Sequence, residues 1–184
     1  MNFKPPTIIQ MKNLHSITFF AFTALLVSCV PTVSTLTGSY QDKPYEIKTD
    51  KDFETVWSNL IDLFAQKGIS IKIIDKSSGL IVSEKTSFKQ SYTTELNGKA
   101  ADPNAWIVLN KVDWMGTEIK PDHVYGEWNA RIKNSEGGTI ININLTNIDA
   151  AAHFNATQYS SERNFVFEGK STGKFESIIA ETIK

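Results

Sequence analysis

Two polar groups in the sequence contain residue types that could support acid–base or metal chemistry. Asp122, His123 and Glu127 combine two carboxylates with an imidazole, a combination used in hydrolytic catalysis. His123 and Glu127 are four residues apart in a predicted strand, however, so their side chains share a face only loosely. Asp149 and His153 could meet on a helical turn, but two ligands do not make a metal site. We therefore predict surface residues at these positions, with no metal and no cofactor.

Other motifs in the sequence do not indicate catalysis. Ser160 and Ser161 have no Gly-x-Ser-x-Gly context, so the nucleophile turn of an α/β-hydrolase is not predicted. Gly137 and Gly138 lack the Lys-Ser/Thr ending of a phosphate-binding loop, and they indicate a hairpin turn instead. The sequence therefore predicts a protein that is not an enzyme and has no catalytic residues.

Aromatic residues are the remaining candidates for contact with a ligand. Trp128 falls on the apolar face of a predicted strand, so we expect it in the core. Tyr92, Trp106 and Trp114 fall in residues 87–123, an insert whose structure the pattern does not define. Exposed Trp and Tyr side chains can anchor peptides or sugar rings. The alternative is that these rings cover the open end of the sheet.

The composition excludes several classes of protein. The chain has 184 residues, of which 41% are hydrophobic and 21% are charged, and these values are typical of a folded domain with one core. The formal net charge is −1, so no excess of charge would draw the chain to nucleic acid. One cysteine excludes an internal disulfide framework and a zinc site built from several thiolates.

The N-terminal region has the pattern of a secretory signal. Residues 14–27 form an apolar run without acidic residues, and Lys12 precedes it. The run is shorter than the roughly 20 apolar residues that a transmembrane helix needs. Met11 could be the true start of the protein, because Met11-Lys12-Asn13 by itself forms a normal basic beginning for a signal.

The apolar run ends in Leu26-Val27-Ser28-Cys29, which resembles the lipobox of bacterial lipoproteins. This resemblance implies that residues 1–28 are removed as a signal peptide and that Cys29 is acylated. Two or three acyl chains attach a protein stably to a bilayer, so the lipid bilayer is a predicted partner. By the same resemblance, Val30 in place of an aspartate favours the outer membrane. No acidic run follows Cys29, and this favours the periplasmic face.

The mature chain divides into two parts by composition. Residues 29–44 contain the predicted lipidated cysteine and a stretch rich in Thr, Ser and Pro. This stretch has no apolar periodicity, so we predict a flexible tether. Residues 45–184 contain the patterns of regular secondary structure and predict a single domain.

Two amphipathic helices are predicted within this domain. Apolar residues recur at spacings of three and four from Phe53 to Phe64, and Gly68 ends that helix. Ser171 or Thr172 is expected to cap a second helix at the C-terminal end of the chain.

Alternating apolar and polar residues predict two antiparallel hairpins, with turns at residues 76–79 and 134–138. Together with the helices, they predict an α+β fold in which two helices pack on one face of an antiparallel sheet. Residues 87–123 contain one clear strand candidate, at residues 106–109.

The first helix and hairpin also resemble a known family. Val56-Trp57, the stop at Gly68 and Asp75-Lys76-Ser77-Ser78-Gly79 are similar to the helix-grip repeats found in a lipoprotein component of the outer-membrane β-barrel assembly machinery. The resemblance covers residues 45–86 and 164–184. It implies a helix-grip-like fold and a scaffolding role, and it brings no catalytic residue.

Three functions follow from these observations. The lipobox and the missing catalytic set favour a non-enzymatic binding or scaffold module of the cell envelope, whose partners would be envelope proteins or glycans. A second hypothesis is a carbohydrate- or peptidoglycan-binding lipoprotein that uses Tyr92, Trp106 and Trp114. A third is a hydrolase built on the group around His123.

Overall fold

The computed structural model of the protein describes residues 30–155 and 162–184. The predicted signal peptide and Cys29 lie outside the described residues, as do Ser160 and Ser161. Strands account for 48% of the described residues and helices for 16%, so this part of the chain is mainly β-structure.

The described residues form fourteen strands and two helices, which are labelled in chain order. The helices are α1 (Phe53–Gln66) and α2 (Lys174–Ile183). The strands are β1 (Thr32–Val33), β2 (Tyr45–Thr49), β3 (Ile71–Asp75), β4 (Leu80–Ser83), β5 (Thr86–Ser87), β6 (Tyr92–Leu96), β7 (Lys99–Ala100), β8 (Ile107–Leu109), β9 (Val112–Trp114), β10 (Thr117–Glu118), β11 (His123–Ser135), β12 (Gly138–Phe154), β13 (Arg163–Val166) and β14 (Gly169–Ser171).

A long antiparallel hairpin of β11 and β12 lies at the centre of the fold. Alternate residues of β11 are buried from Val124 to Ile132, as the alternating sequence predicts. Opposite them on β12, Ile141 and Ile143 are fully buried. The hairpin therefore has one apolar face, which contacts the core, and one polar face.

Five further strands extend this hairpin into a seven-stranded antiparallel sheet. The strand order is β13-β12-β11-β4-β3, with β2 paired to β12 and β5 paired to β11. Both predicted hairpins are confirmed, the first as β3 and β4 and the second as β11 and β12.

The predicted fold class is wrong, because residues 87–123 contribute to two further sheets. A four-stranded sheet has the order β14-β8-β6-β7, and a three-stranded sheet has the order β1-β9-β10. β6 and β8 are parallel, a pairing that a simple series of hairpins cannot produce. The protein is therefore a β-rich fold of several sheets, and not a helix-grip-like α+β fold with two helices on one sheet.

The turns of this insert explain why its strands escape detection in the sequence. Asn97-Gly98 connects β6 to β7, and Met115-Gly116 connects β9 to β10. All four residues have positive φ, between 52° and 77°, as two-residue type I′ turns require. The strands β7, β9 and β10 contain only two or three residues each. Alternation cannot be recognised in segments shorter than about four residues.

Both predicted helices are confirmed. α1 begins after Asp52, whose side chain accepts a hydrogen bond from the amide of Thr55 at 3.0 Å. α2 begins after Gly173, whose φ is 82°, and not at the predicted serine or threonine cap. The helices pack against each other and bury apolar residues toward the core: Val56, Trp57, Leu60, Leu63 and Phe64 of α1, and Phe175, Ile179, Ala180 and Ile183 of α2.

An aromatic cluster joins the helices to the central sheet and to the insert. The ring of Phe175 on α2 lies 4.4 Å from the ring of Trp128 on β11 and 4.5 Å from that of Trp106. Phe64 of α1 lies 6.1 Å from Phe175, and Phe88 lies 6.3 Å from Trp128. Large buried aromatic side chains contribute most of the apolar area of a small core, so this cluster stabilises the junction of all three parts.

The turn between β3 and β4 uses the Asp-Lys-Ser-Ser-Gly sequence at residues 75–79. Asp75 accepts hydrogen bonds from the hydroxyl and amide groups of Ser77 and Ser78. These hydrogen bonds, led by that of the Ser77 hydroxyl, lower the pKa of Asp75 to about 2. Gly79 has a φ of +69°, and a Cβ atom there would lie 2.0 Å from the carbonyl oxygen of Ile132. The geometry of the turn therefore explains why Asp, Ser and Gly occur at these positions of residues 75–79.

Substitution of Gly79 tests how tightly this turn is packed against β11. Gly79→Ala should lower the free energy of unfolding by about 3 kcal/mol or more, because a left-handed alanine costs roughly 1–2 kcal/mol and overpacking adds about 1–3 kcal/mol. Gly137→Ala is the matched control, since its φ is +84° but no atom lies within 4 Å of the added Cβ. Urea denaturation of both variants measures the difference. Equal losses would contradict the packing argument.

Candidate functional site

The N-terminal segment, residues 31–44, lies along the domain and is hydrogen-bonded to it at three places. At the first place β1 pairs with β9, and Thr32 faces Asp113. Ser34 extends this pairing, because its amide donates to the carbonyl oxygen of Lys111 at 2.9 Å. The Ser34 hydroxyl in turn accepts a hydrogen bond from the Lys111 amide at 2.9 Å. The first residues of the described chain are therefore part of a sheet.

Glu95, on β6, makes the second attachment of the N-terminal segment. Its carboxylate accepts hydrogen bonds from the Thr37 hydroxyl at 2.6 Å, from the Thr37 amide at 3.0 Å and from the Gly38 amide at 2.9 Å. These hydrogen bonds, led by that of the Thr37 hydroxyl, favour the ionised carboxylate and lower the pKa of Glu95 to about 2. A Cβ atom on residue 38 would lie 2.3 Å from the carbonyl oxygen of Gly98, so only glycine fits there.

The third place joins the N-terminal segment to β14. The Gln41 amide donates to the carbonyl oxygen of Ser171 at 3.2 Å, and the Lys170 ammonium lies 2.8 Å from the Asp42 carboxylate. The described structure of this segment thus differs from the flexible tether that its composition predicts. The physical reason is that its hydrogen-bonding groups find partners far away in the sequence, which a local composition does not encode.

An aromatic cluster lies at the end of the domain where the N-terminal segment begins. The ring of Trp114, on β9, lies 5.8 Å from the rings of both Phe154 and Phe165. The guanidinium of Arg163 lies over the Trp114 ring at 5.2 Å, within the range of a cation–π interaction. Trp114 is half-buried and Phe154 is exposed. Of the three predicted contact residues, Trp114 is therefore the one that lies on the strand paired with β1.

The structure places the other two predicted contact residues against the main core. Trp106 is half-buried, and its ring lies 6.2 Å from Phe88 and 4.5 Å from Phe175. Tyr92 is half-buried on β6, and burial raises the pKa of its hydroxyl. Trp106 and Trp114 thus belong to two different aromatic clusters.

The polar residues singled out in the sequence come together through the pairing of β11 with β12. His123 Nε2 lies 3.2 Å from one carboxylate oxygen of Asp149, and Lys85 Nζ lies 2.7 Å from the other. Hydrogen bonding by Lys85, and then by His123, lowers the pKa of Asp149. The His153 ring lies 6.3 Å from the His123 ring. The sequence contains both members of the His123–Asp149 pair, but their spacing of 26 residues does not reveal it.

The two remaining carboxylates take other partners. Asp122 accepts a hydrogen bond from the amide of His153 at 2.6 Å, and Glu127 accepts one from the side-chain amide of Asn147 at 2.9 Å. Asp149 is half exposed and shared with a lysine, so water screens the charges of this group. Within the described residues, no set of three or more His, Cys, Asp or Glu side chains is arranged to hold a metal ion.

No family model, no curated protein and no solved structure matches the chain. The resemblance to bacterial lipoproteins therefore stays a prediction from the residues that carry it. Among the helices in residues 30–155 and 162–184, none is long and apolar enough to cross a bilayer.

Sequence reasoning missed the residues that hold the N-terminal segment. Ser34, Glu95 and Lys111 carry no motif, and each looks like an ordinary polar residue of a loop or an edge strand. Their role depends on partners between 58 and 77 positions away. No local signal in the sequence could have found them.

Protonation of Glu95 is expected to release the second attachment of the N-terminal segment. The pKa of Glu95 in the folded protein is about 2, below the ordinary value of 4.5. At pH values above the ordinary pKa of 4.5, the ionised Glu95 therefore makes its full contribution to the stability of the folded protein. This contribution is lost as the pH falls through about 2. NMR titration should show the amide protons of Thr37 and Gly38 shifting with this low midpoint.

A pair of variants separates this attachment from a general effect of surface charge. Glu95→Gln should accelerate hydrogen exchange at the Thr37 and Gly38 amides at neutral pH, because a neutral amide accepts weaker hydrogen bonds. Glu46→Gln is the control, since within the described residues the Glu46 carboxylate makes only an exposed ion pair with Lys48. A titration midpoint at the ordinary value of a glutamate would contradict the proposed attachment.

Proposed function

We propose that the chain is a lipoprotein of the cell envelope, anchored in the outer membrane through acylated Cys29, whose domain is a non-enzymatic binding or scaffold module on the periplasmic side. The observation that carries the anchor is the position of the one cysteine of the chain. It follows Leu26-Val27-Ser28 directly, at the end of an apolar run.

The start of the domain is compatible with an acyl group at this position. Val30 is 70% exposed, so the chain reaches the surface of the domain one residue after the cysteine. Ser34, only four residues later, is already hydrogen-bonded to Lys111. The described chain therefore begins at the surface of the domain and is fixed to it within a few residues.

A binding role is supported by an open strand edge. In the described part of the chain β3 pairs only with β4, and it ends the seven-stranded sheet on the side away from β13. β3 carries Ile73, which is 44% exposed, and Ile74, which is 58% exposed. An exposed apolar edge strand offers unpaired backbone groups to a strand of a partner protein. We call β3 with these two isoleucines the binding edge.

The glycan-binding hypothesis receives no comparable support. It calls for Trp106 and Trp114 in a common groove, where sugar rings could stack on both. The two rings pack instead against different partners, Phe175 in one case and Phe154 with Phe165 in the other. The hydrolase hypothesis likewise gains no second feature, because in the described residues the hydrogen-bond partner of the His123 ring is Asp149, whose carboxylate also binds a lysine.

Substitution of the cysteine tests the anchor. Cys29→Ser should move the protein from the membrane fraction to the soluble fraction, because the acyl chains that bind the bilayer can no longer be attached. Ser28→Ala is the control, since it keeps a small residue before an intact cysteine. Intact-mass spectrometry of the wild-type protein should show a chain that begins at Cys29 and carries acyl groups. A free thiol at Cys29 in membranes would refute the anchor.

Substitution of the binding edge tests the binding role. Protein recovered from cross-linked outer membranes should carry an envelope partner that Ile74→Lys loses, since edge lysines oppose strand pairing. Val166→Lys is the matched control, because Val166 is 75% exposed on β13 at the other side of the sheet. If the two variants recover the same proteins as the wild type, the binding edge has no such role.

A further inference from the structure

Exposed apolar residues lie where β1, the end of β9 and the end of β12 come together. Val30 is 70% exposed, Val33 54%, Met115 69% and Phe154 40%. The Phe154 ring contacts Trp114, which directly precedes Met115. Exposed apolar residues that lie close together on one side of a domain indicate an interaction surface.

The direction of β1 brings the lipidation position to this same end. β1 is antiparallel to β9, with Thr32 opposite Asp113 and Val33 opposite Val112. Residues before Thr32 therefore run toward Trp114 and the Met115-Gly116 turn. Residue 29 is three positions before Thr32, a reach of at most about 11 Å when fully extended.

This short reach leaves the domain little freedom to move away from its anchor. The headgroup layer on each side of a bilayer is about 5–8 Å thick. Acyl chains on residue 29 must enter the hydrocarbon beneath that layer. Because Ser34 and Thr37 are fixed to the body by Lys111 and Glu95, an anchor at residue 29 would bring the Met115-Gly116 turn to the level of the headgroups.

The chemistry of this end suits an interface better than either pure hydrocarbon or water. Tryptophan side chains prefer the boundary between headgroups and acyl chains. The half-buried Arg163 holds its guanidinium above the Trp114 ring, and a guanidinium is a group that lipid phosphates attract. Basic and acidic groups both lie nearby, since Lys111 lies 3.9 Å from Glu118 and Asp113 is exposed on β9 opposite Thr32. The apolar residues, and not a net positive charge, are therefore what distinguishes this end.

We propose that Val30, Val33, Trp114, Met115 and Phe154 form a face that rests on the bilayer and holds the domain in one fixed orientation. This inference rests on the proposed function, because it requires an acylated Cys29. The occupant of the face is the surface of the membrane in which that residue is anchored. The β11–β12 turn then points away from the membrane, because the 13 residues of β11 span roughly 40 Å at about 3.3 Å per residue.

Site-directed spin labelling of the intact lipoprotein tests this orientation. The chain has one cysteine, which acylation consumes, so an added cysteine can be labelled selectively. Met115→Cys places a nitroxide on the proposed face, and Glu136→Cys places one at the distant β11–β12 turn. Each protein is reconstituted into vesicles of phosphatidylethanolamine and phosphatidylglycerol. Collision rates with oxygen, which partitions into lipid, and with a water-soluble nickel chelate then report the depth of each label.

The label at residue 115 is expected to collide severalfold less with the chelate, and more with oxygen, than the label at residue 136. Equal access of the chelate to both labels, on a protein whose mass shows an acylated Cys29, would overturn the orientation and leave the anchor intact. An unmodified Cys29 with no binding to vesicles would overturn the proposed function itself. Shielding of residue 115 that persists when Met115→Cys is combined with Cys29→Ser, in buffer without vesicles or detergent, would assign the face to a second copy of the chain, and it would also overturn the proposal.

Discussion

The backbone ladder between β11 and β12 is the constraint on which the other contacts of the domain depend. Its register sets Trp128 opposite Leu145 and Ile132 opposite Ile141, so the buried residues of both strands share one face. A slip of one residue would turn every buried side chain of a strand toward water. The ladder also supplies the Trp128 ring against which Phe175 of α2 packs at 4.4 Å. The hairpin of β11 and β12 is therefore the surface on which the two helices and residues 87–123 pack.

The same hairpin gives the protein two distinct ends. At one end Phe154, the last residue of β12, contacts Trp114 on β9, the strand that pairs with β1. At the other end lies the turn between Ser135 and Gly138, close to the tightly packed turn of residues 75–79. A rigid element that joins both ends would let a membrane anchor fix the direction of the whole domain. The binding edge on β3 would then hold a constant orientation relative to the membrane.

Carboxylates in this protein stabilise backbone geometry. Asp75 closes a turn, Glu95 fixes the N-terminal segment, and Asp52 begins a helix. In each case hydrogen bonds from backbone or hydroxyl groups favour the ionised form and lower the pKa. Glu176 is the opposite case, because burial in the core raises its pKa although Ser171 donates a hydrogen bond to it. The carboxylates described here thus stabilise the fold.

The sequence by itself determined the two helices and the two hairpins, because each depends on a pattern within about 20 neighbouring residues. The lipobox is likewise a local pattern, and it stays a prediction. It also placed Trp128 in the core correctly. Only the tertiary structure decided that β6 runs parallel to β8, that Glu95 holds Thr37 and that the rings of Trp106 and Trp114 separate into two clusters. These features join residues that are distant in the chain, and the free energy of such contacts depends on which surfaces the fold brings together. A local pattern of apolar and polar residues does not show which distant surfaces will pack together.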